Sequence, residues 1–550
     1  MAFNLFGNSK PKHAGEYIIG VSSGMFGAAQ PQEKISMIDL SQKGFYSALK
    51  GVNFTQIDIE TSTELDSPDI KNRLEKIRGL GITYGFHGET PAMGGAQIAL
   101  TSAIEDQYIT GHWRFVKNLE GTGRLKAVYY LQHSCEGPPA ENPYMRLGES
   151  MQPSSLVDIY GRRLYKFLDE NPNVLDWLID QRELYECLKV APPENNAERE
   201  RDRIMNEVAR EKGLLDRLMV SKVAEQEMRE ILEEVGKRVP EAGRKATKEQ
   251  VKGALKTSDM GWGTERIAYL VIAKWMSDKK DPIWLGIVGD KSFESVKDRP
   301  SDWVPAVAAK YIWGHVNPLP EMENKFKDPK KILEKYNFDF VIETPMVSRG
   351  MEGEYRLTRP KHFIILCKNL GTKHCGAVID FEHCLGADIN PDKEIESFCS
   401  DGGKYIKALH VGWPTPLQPA HVPIPLGSEQ QEWLYRWMLA LRKKGFDERE
   451  NRYIIFERAG GVGGDPVDQS TLALRKIVEY LRQDVPVEDL PKEFYGIEEK
   501  DLRMQDTEIM EHAFDPIKGL ITTPEGKHGF LSKAALEKGK GKEWETEKYR

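Results

Sequence analysis

Residues 377–383, A-V-I-D-F-E-H, decide the reading of this chain. An apolar run, Ala377 to Ile379, ends in Asp380, and His383 follows three residues later. The pattern predicts a buried strand that delivers a carboxylate at its C-terminal end, with an imidazole on the loop just beyond. Nothing apolar needs a carboxylate there. It is either hydrogen-bonded to a neighbouring loop or a metal ligand. Other apolar runs in the chain end the same way, and that recurrence favours the ligand.

Upstream, 17–21 (Y-I-I-G-V) reads as a first strand followed by Ser22, Ser23 and Gly24. A helix is expected over 35–49. A second strand, 54–60 (F-T-Q-I-D-I-E), ends in an acid. An amphipathic helix over 70–80 leads to a third strand, 82–86, which ends at His87 in F-H-G-E-T-P. A helix over 98–119 leads to a fourth, 127–131 (A-V-Y-Y-L), which ends in Gln132 and His133. Strand and helix alternate four times, the signature of parallel strands with helical crossovers.

The alternation stops from about 141 to 328, where the pattern is mainly helical and highly charged. Leu214, Leu218, Val223, Met228 and Leu232 fall at helical spacing with charges between them, which reads as solvated amphipathic helix. The alternation resumes at 338–342 (F-D-F-V-I), ending in Glu343. A helix over 360–370 precedes the strand ending in Asp380. A seventh strand, 405–409, ends at His410, and its Pro-rich loop carries His421. After a helix over 429–444, an eighth strand, 453–456, ends at Glu457 before the glycine-rich 459–465, and a helix over 470–483 closes the ring. Eight units predict a (β/α)8 barrel. Its halves are 16–140 and 331–483, with a helical insertion at 141–330 and a C-terminal extension at 484–550.

Composition sets limits. A net charge of −8 argues against general electrostatic binding of nucleic acid, though not against a local basic groove. Six scattered cysteines without a C-x-x-C pair suit a reduced, cytoplasmic protein with no thiolate metal cluster. The N-terminus lacks a signal-peptide apolar core, and no run approaches the ~18 apolar residues of a membrane span.

In such a barrel the strand C-termini converge on the face where active sites sit. The residues there are His87, His133, Glu343, Asp380, His410 and Glu457, with His383 and His421 on loops leaving the same face. Singly, a histidine at a strand end is more often a hydrogen-bonded structural residue than a ligand. Glu457 alone could cap a helix. Together they form a nitrogen and oxygen set suited to Zn²⁺, Mn²⁺ or Fe²⁺. Several ions could clamp a phosphodiester. One ion held by Glu343, Asp380, His410 and Glu457 could polarise a sugar carbonyl or hydroxyl. Glu60 and Glu89 stand near strand ends as supporting groups.

The order of motifs resembles the xylose-isomerase-like TIM barrels, and within them the endonuclease IV family of apurinic/apyrimidinic endonucleases, over 16–135 and 338–482. The shared motifs are I-I-G-V-S-S-G, F-H-G-E-T-P, Y-Y-L-Q-H, V-I-E-T-P, V-I-D-F-E-H, A-L-H-V and I-I-F-E. The resemblance implies one ion on His87, His133 and Glu343. It implies a second on Glu343, Asp380, His410 and Glu457, and a third on His383 and His421. It also implies hydrolysis of DNA at abasic or damaged sites by a metal-bound hydroxide, a DNA-repair role. Two features depart from the pattern. Pro419-Ala420-His421 lacks the family's carboxylate, and Glu89 stands where that family places bulky residues that intrude into DNA. Two further readings follow. One is a mononuclear sugar isomerase or epimerase in which Glu343 and Glu457 transfer protons. The other is a non-catalytic barrel with a partner-binding helical arm.

Overall fold

The computed structural model describes residues 15–23, 39–59, 61–88, 98–134, 155–181, 246–256, 265–322, 325–345, 356–413, 422–448, 450–457 and 466–497. Eight strands close into a barrel in sequence order: β1 (Tyr17–Ser22), β2 (Phe54–Asp58), β3 (Thr83–His87), β4 (Tyr129–His133), β5 (Asp339–Glu343), β6 (Cys375–Asp380), β7 (Ile406–Val411) and β8 (Arg452–Phe456). Every neighbouring pair is parallel, and β8 returns to β1. The predicted (β/α)8 barrel is therefore the fold.

Helices Leu40–Leu49, Ile70–Gly79, Glu105–Leu125, Pro360–Asn369, Glu429–Lys443 and Pro466–Leu481 pack around the strands. Several begin on sequence signals. Ser428 accepts the backbone N–H of Gln431, and Asp328 accepts that of Lys330 at the start of Pro329–Tyr336. The helix expected from residue 98 starts only at Glu105. Ile104 is instead extended and bridges Leu156 antiparallel, so this segment ties the barrel to the insertion.

The described part of the insertion is helical, as its pattern predicts. Its helices Glu265–Asp278 and Pro300–Val316 are apolar on nearly every face. They share one hydrophobic core with the outer faces of β3, β4 and β5 and with helix Pro360–Asn369. Most of the charged stretch at 197–245 lies outside the described residues. Among the described residues no helix is long and apolar enough to cross a membrane.

The barrel interior explains the site. Strand side chains alternate faces, so residues two apart point the same way. Phe54, Tyr129, Leu131, Val341, Val378, Ala408 and Ile455 form a separate apolar cluster that fills the barrel. Two residues further along the same strands stand Gln56, then Leu131 again and His133, Glu343, Asp380, His410 and Glu457. Apolar packing thus gives way to ionisable groups within one layer, at the C-terminal mouth.

Candidate metal centre

Strand register brings the polar groups together. His133 and Glu343 are Cα partners across β4 and β5, Asp380 and His410 across β6 and β7, and Asp58 and His87 across β2 and β3. Glu343 lies at the centre and is fully buried. Its Oε1 is 2.6 Å from His410 Nδ1. Its Oε2 is 3.1 Å from His133 Nε2 and 3.5 Å from His87 Nε2. His410 Nδ1 is also 2.8 Å from Glu457 Oε2 and 3.8 Å from Asp380 Oδ2.

Two ligand groups result, sharing Glu343. One is His87, His133 and Glu343. The other is Glu343, Asp380, His410 and Glu457. Within each, the potential ligand atoms all lie within 4.8 Å of one another. Both match the groupings expected from the sequence, and either could hold a divalent ion.

Asp380 answers the question posed by its sequence in both ways. One oxygen accepts the backbone N–H of His383 at 2.9 Å and caps the short helix Phe381–Gly386. The other faces the site. His383 is buried beside it, with Nδ1 2.8 Å from the carbonyl oxygen of Thr344 and Nε2 3.5 Å from Asp380 Oδ2. It borders the four-residue group without belonging to either ligand cluster. His421, Ala420, Glu60, Glu89 and the glycine-rich 459–465 lie outside the described residues.

The electrostatics are unbalanced. Burial alone would raise the Glu343 carboxyl, yet the imidazoles of His410 and His133 hold it well below the usual range. His410 is held well above its ordinary value by Glu343 and Glu457, against its burial. Asp380 is pushed up to about 7, first by burial and then by Glu457, Glu343 and Glu382, against the pull of His383. Three carboxyl groups thus crowd one imidazole, with Glu343, Asp380 and His410 buried and Glu457 partly exposed. Among the described residues, Glu343 Oε1 and Oε2 and His410 Nδ1 are buried without an aligned hydrogen bond despite these short contacts. Converging lone pairs of this kind fit a hard or borderline divalent cation. The nitrogen and oxygen set, without thiolate, does not choose among Zn²⁺, Mn²⁺ and Fe²⁺.

Two site residues escape the sequence reading. Asp58, not Glu60, ends β2. Its side chain accepts from Ser23 Oγ at 3.0 Å and lies 3.8 Å from His87 Nδ1. Gln56 is fully buried below it and contacts His410. The alternation of Phe54, Gln56 and Asp58 carries the signal once the strand is ended two residues earlier.

No protein-family model and no curated protein matches the chain. Solved structures do. A D-tagatose 3-epimerase-like protein is 12% identical, with 85% of this chain and 100% of that one covered, at a TM-score of 0.39. D-allulose 3-epimerase from Methylomonas sp., in complex with D-allulose, is 8% identical over 86% and 99%, at 0.39. A 3-keto-D-glucoside 4-epimerase from E. coli is 10% identical over 85% and 100%, at 0.36. Two of these three are sugar epimerases by description and the third is epimerase-like. The expectation of endonuclease IV-type hydrolysis of abasic DNA is corrected on this finding, and closeness to that family is not upheld. At these TM-scores no reaction carries over from the matched proteins, and the chemistry rests on the site's own geometry.

Proposed function

We propose that this chain is a mononuclear, metal-dependent sugar isomerase or epimerase. The observation that carries the reading is the group of Glu343, Asp380, His410 and Glu457, whose ligand atoms lie within 4.8 Å of one another at the mouth of the barrel. A divalent ion bound there would supply positive charge for a substrate's carbonyl and neighbouring hydroxyl oxygens.

The residues supply the proton transfers. His410 Nδ1 lies 2.6 Å from Glu343 and 2.8 Å from Glu457, so the two carboxylates flank the imidazole from strands on different sides of it. Glu343, held ionised, takes the proton from the carbon next to the carbonyl, and the C–H electrons become the double bond of an enediolate. A proton is returned to the opposite face from the side of Glu457, and exchange with solvent restores both carboxyl groups. Proton count and oxidation level balance without an external reductant. Asp380 completes the ligand set while its second oxygen is engaged in the helix cap, which fixes its orientation.

The test uses the full chain, loaded in turn with Mn²⁺, Co²⁺ and Zn²⁺, and a panel of ketoses in D₂O. The expected result is deuterium at the carbon beside the carbonyl, together with the epimeric or isomeric sugar. A chain that binds an ion yet exchanges no such proton across the panel would overturn the proposal.

A further inference from the structure

We infer that Gln56 is a positioning residue for the metal: its side-chain oxygen holds the Nε2–H of His410 and so leaves Nδ1, between Glu343 and Glu457, as the nitrogen that an ion would bind. This deepens the reading above and rests on it.

A neutral imidazole carries one proton, and the partner of one nitrogen decides the state of the other. Gln56 Oε1 is 2.8 Å from His410 Nε2. The same oxygen is 2.9 Å from the Tyr129 hydroxyl. That second contact orients the amide. The Tyr129 O–H donates to Gln56 Oε1, so the carbonyl oxygen, not the NH₂, is turned toward both groups. His410 must then donate from Nε2, so Nδ1 is the nitrogen whose proton a bound ion would replace. The opposite tautomer would place an N–H between two carboxylates, where it would compete with a cation. Gln56 Nε2 is meanwhile buried without a hydrogen bond among the described residues. A polar group kept in the barrel interior at that cost implies that its other end is needed.

The supports below are built for this contact. Gln56 is the Cα partner of Gly85 on β3. A Cβ on Gly85 would lie 2.4 Å from the Tyr129 ring, so glycine makes the space that the ring fills. Phe54 and Tyr453 hold the same ring from other sides, with centroids at 5.7 Å and 5.5 Å. Gly85, Tyr129, Gln56 and His410 therefore form a line of contact from the apolar filling of the barrel to the ligand group.

The test compares Gln56→Met, which cannot accept, with Gln56→Glu, which can, in the full chain. Co²⁺ and Zn²⁺ affinities are measured by competition with a chromophoric chelator, alongside the visible spectrum of the Co²⁺ form and the melting temperature of the metal-free protein. Loss of such a supporting hydrogen bond typically weakens metal binding ~10–100-fold, which is expected for Gln56→Met, with Gln56→Glu restored to within about threefold of wild type. Tyr129→Phe keeps the ring but loses the orienting O–H. Its expected effect is a several-fold weakening, and it serves where Gln56→Met does not fold. Equal binding by wild type, Gln56→Met and Tyr129→Phe would overturn the inference, as would equal weakening in Gln56→Met and Gln56→Glu. Failure of the underlying metal reading looks different: wild type takes up no ion, or His410→Ala binds as wild type does.

Discussion

The two ligand groups share Glu343 but differ in what they lack. In the first, His87 Nε2 and His133 Nε2 lie 3.2 Å apart, within hydrogen-bond distance, and both face Glu343 Oε2. Two imidazoles there face one carboxylate, and Glu343 and Asp58 raise His87 against its burial, so positive charge on the rings can offset the carboxylate. In the second, Glu343, Asp380 and Glu457 surround His410, so one imidazole faces three carboxyl groups, two of them buried. The first group can offset its one carboxylate with charge on its own rings, whereas the second sets three carboxyl groups around one ring. That difference favours one ion in the four-residue group, with the histidine pair orienting Glu343 from its other oxygen.

The largest expected effect breaks the four-residue group. Glu457→Gln would remove the proposed proton-transfer group, and kcat should then fall by ~10²–10⁴-fold at saturating metal and sugar. Steady-state kinetics on the best ketose checks this. An unchanged kcat would remove Glu457 from the chemistry.

A second prediction uses an imidazole pair far from any such acid. His112 and His315 also meet at 3.2 Å through their Nδ1 atoms, buried in the interface of helices Glu105–Leu125 and Pro300–Val316. Here burial pushes His112 down to about 4, with only the Lys327 carbonyl opposing it, while His87 is raised because Glu343 and Asp58 outweigh its burial. A neighbouring carboxylate, not the pairing itself, sets the direction. His112 binds fewer protons folded than unfolded, so its contribution to stability is full above pH 6.5. It is lost as pH falls from 6.5 toward about 4. The loss is on the order of ~3 kcal/mol. Urea unfolding at pH 7 and pH 4.5 should show a smaller drop in His112→Gln than in wild type, and parallel curves would refute it.

Much of this was legible in sequence because a barrel strand writes its function at a fixed place. Val341 and Glu343, Val378 and Asp380, Ala408 and His410 are each an inward apolar residue followed, two positions on, by an ionisable one. The apolar run marks the strand, and its end marks the site. What escaped had a reason too. Gln56 looks like any polar strand residue until Tyr129 and His410 are seen on the same oxygen. Asp58 and Glu60 both follow the apolar pattern of β2, and only the register with β3 selects Asp58 as the partner of His87. Asp380 gave no hint that one oxygen caps a helix while the other faces the site, because S-T-D-N capping signals and ligand signals use the same residue types. The nuclease expectation arose from the order of motifs, with His87 and His133 as its distinguishing members. Motif order names these residues but does not show the 3.2 Å contact between the two rings.

A smaller effect sharpens the contrast from below. Gly85→Ala drives a methyl into the Tyr129 ring and should cost ~1–3 kcal/mol of stability, the usual scale for overpacking a filled core. Chemical denaturation checks the cost, and an unaltered midpoint would mean the ring moves freely.

The most direct measurement is ion content per chain, by elemental analysis of wild type, His133→Ala and His410→Ala after reconstitution and removal of excess metal. A single ion in wild type, retained in His133→Ala and lost in His410→Ala, is the expected result. Two or more ions in wild type with one lost in His133→Ala, or an ion that survives His410→Ala, would contradict the single-ion site.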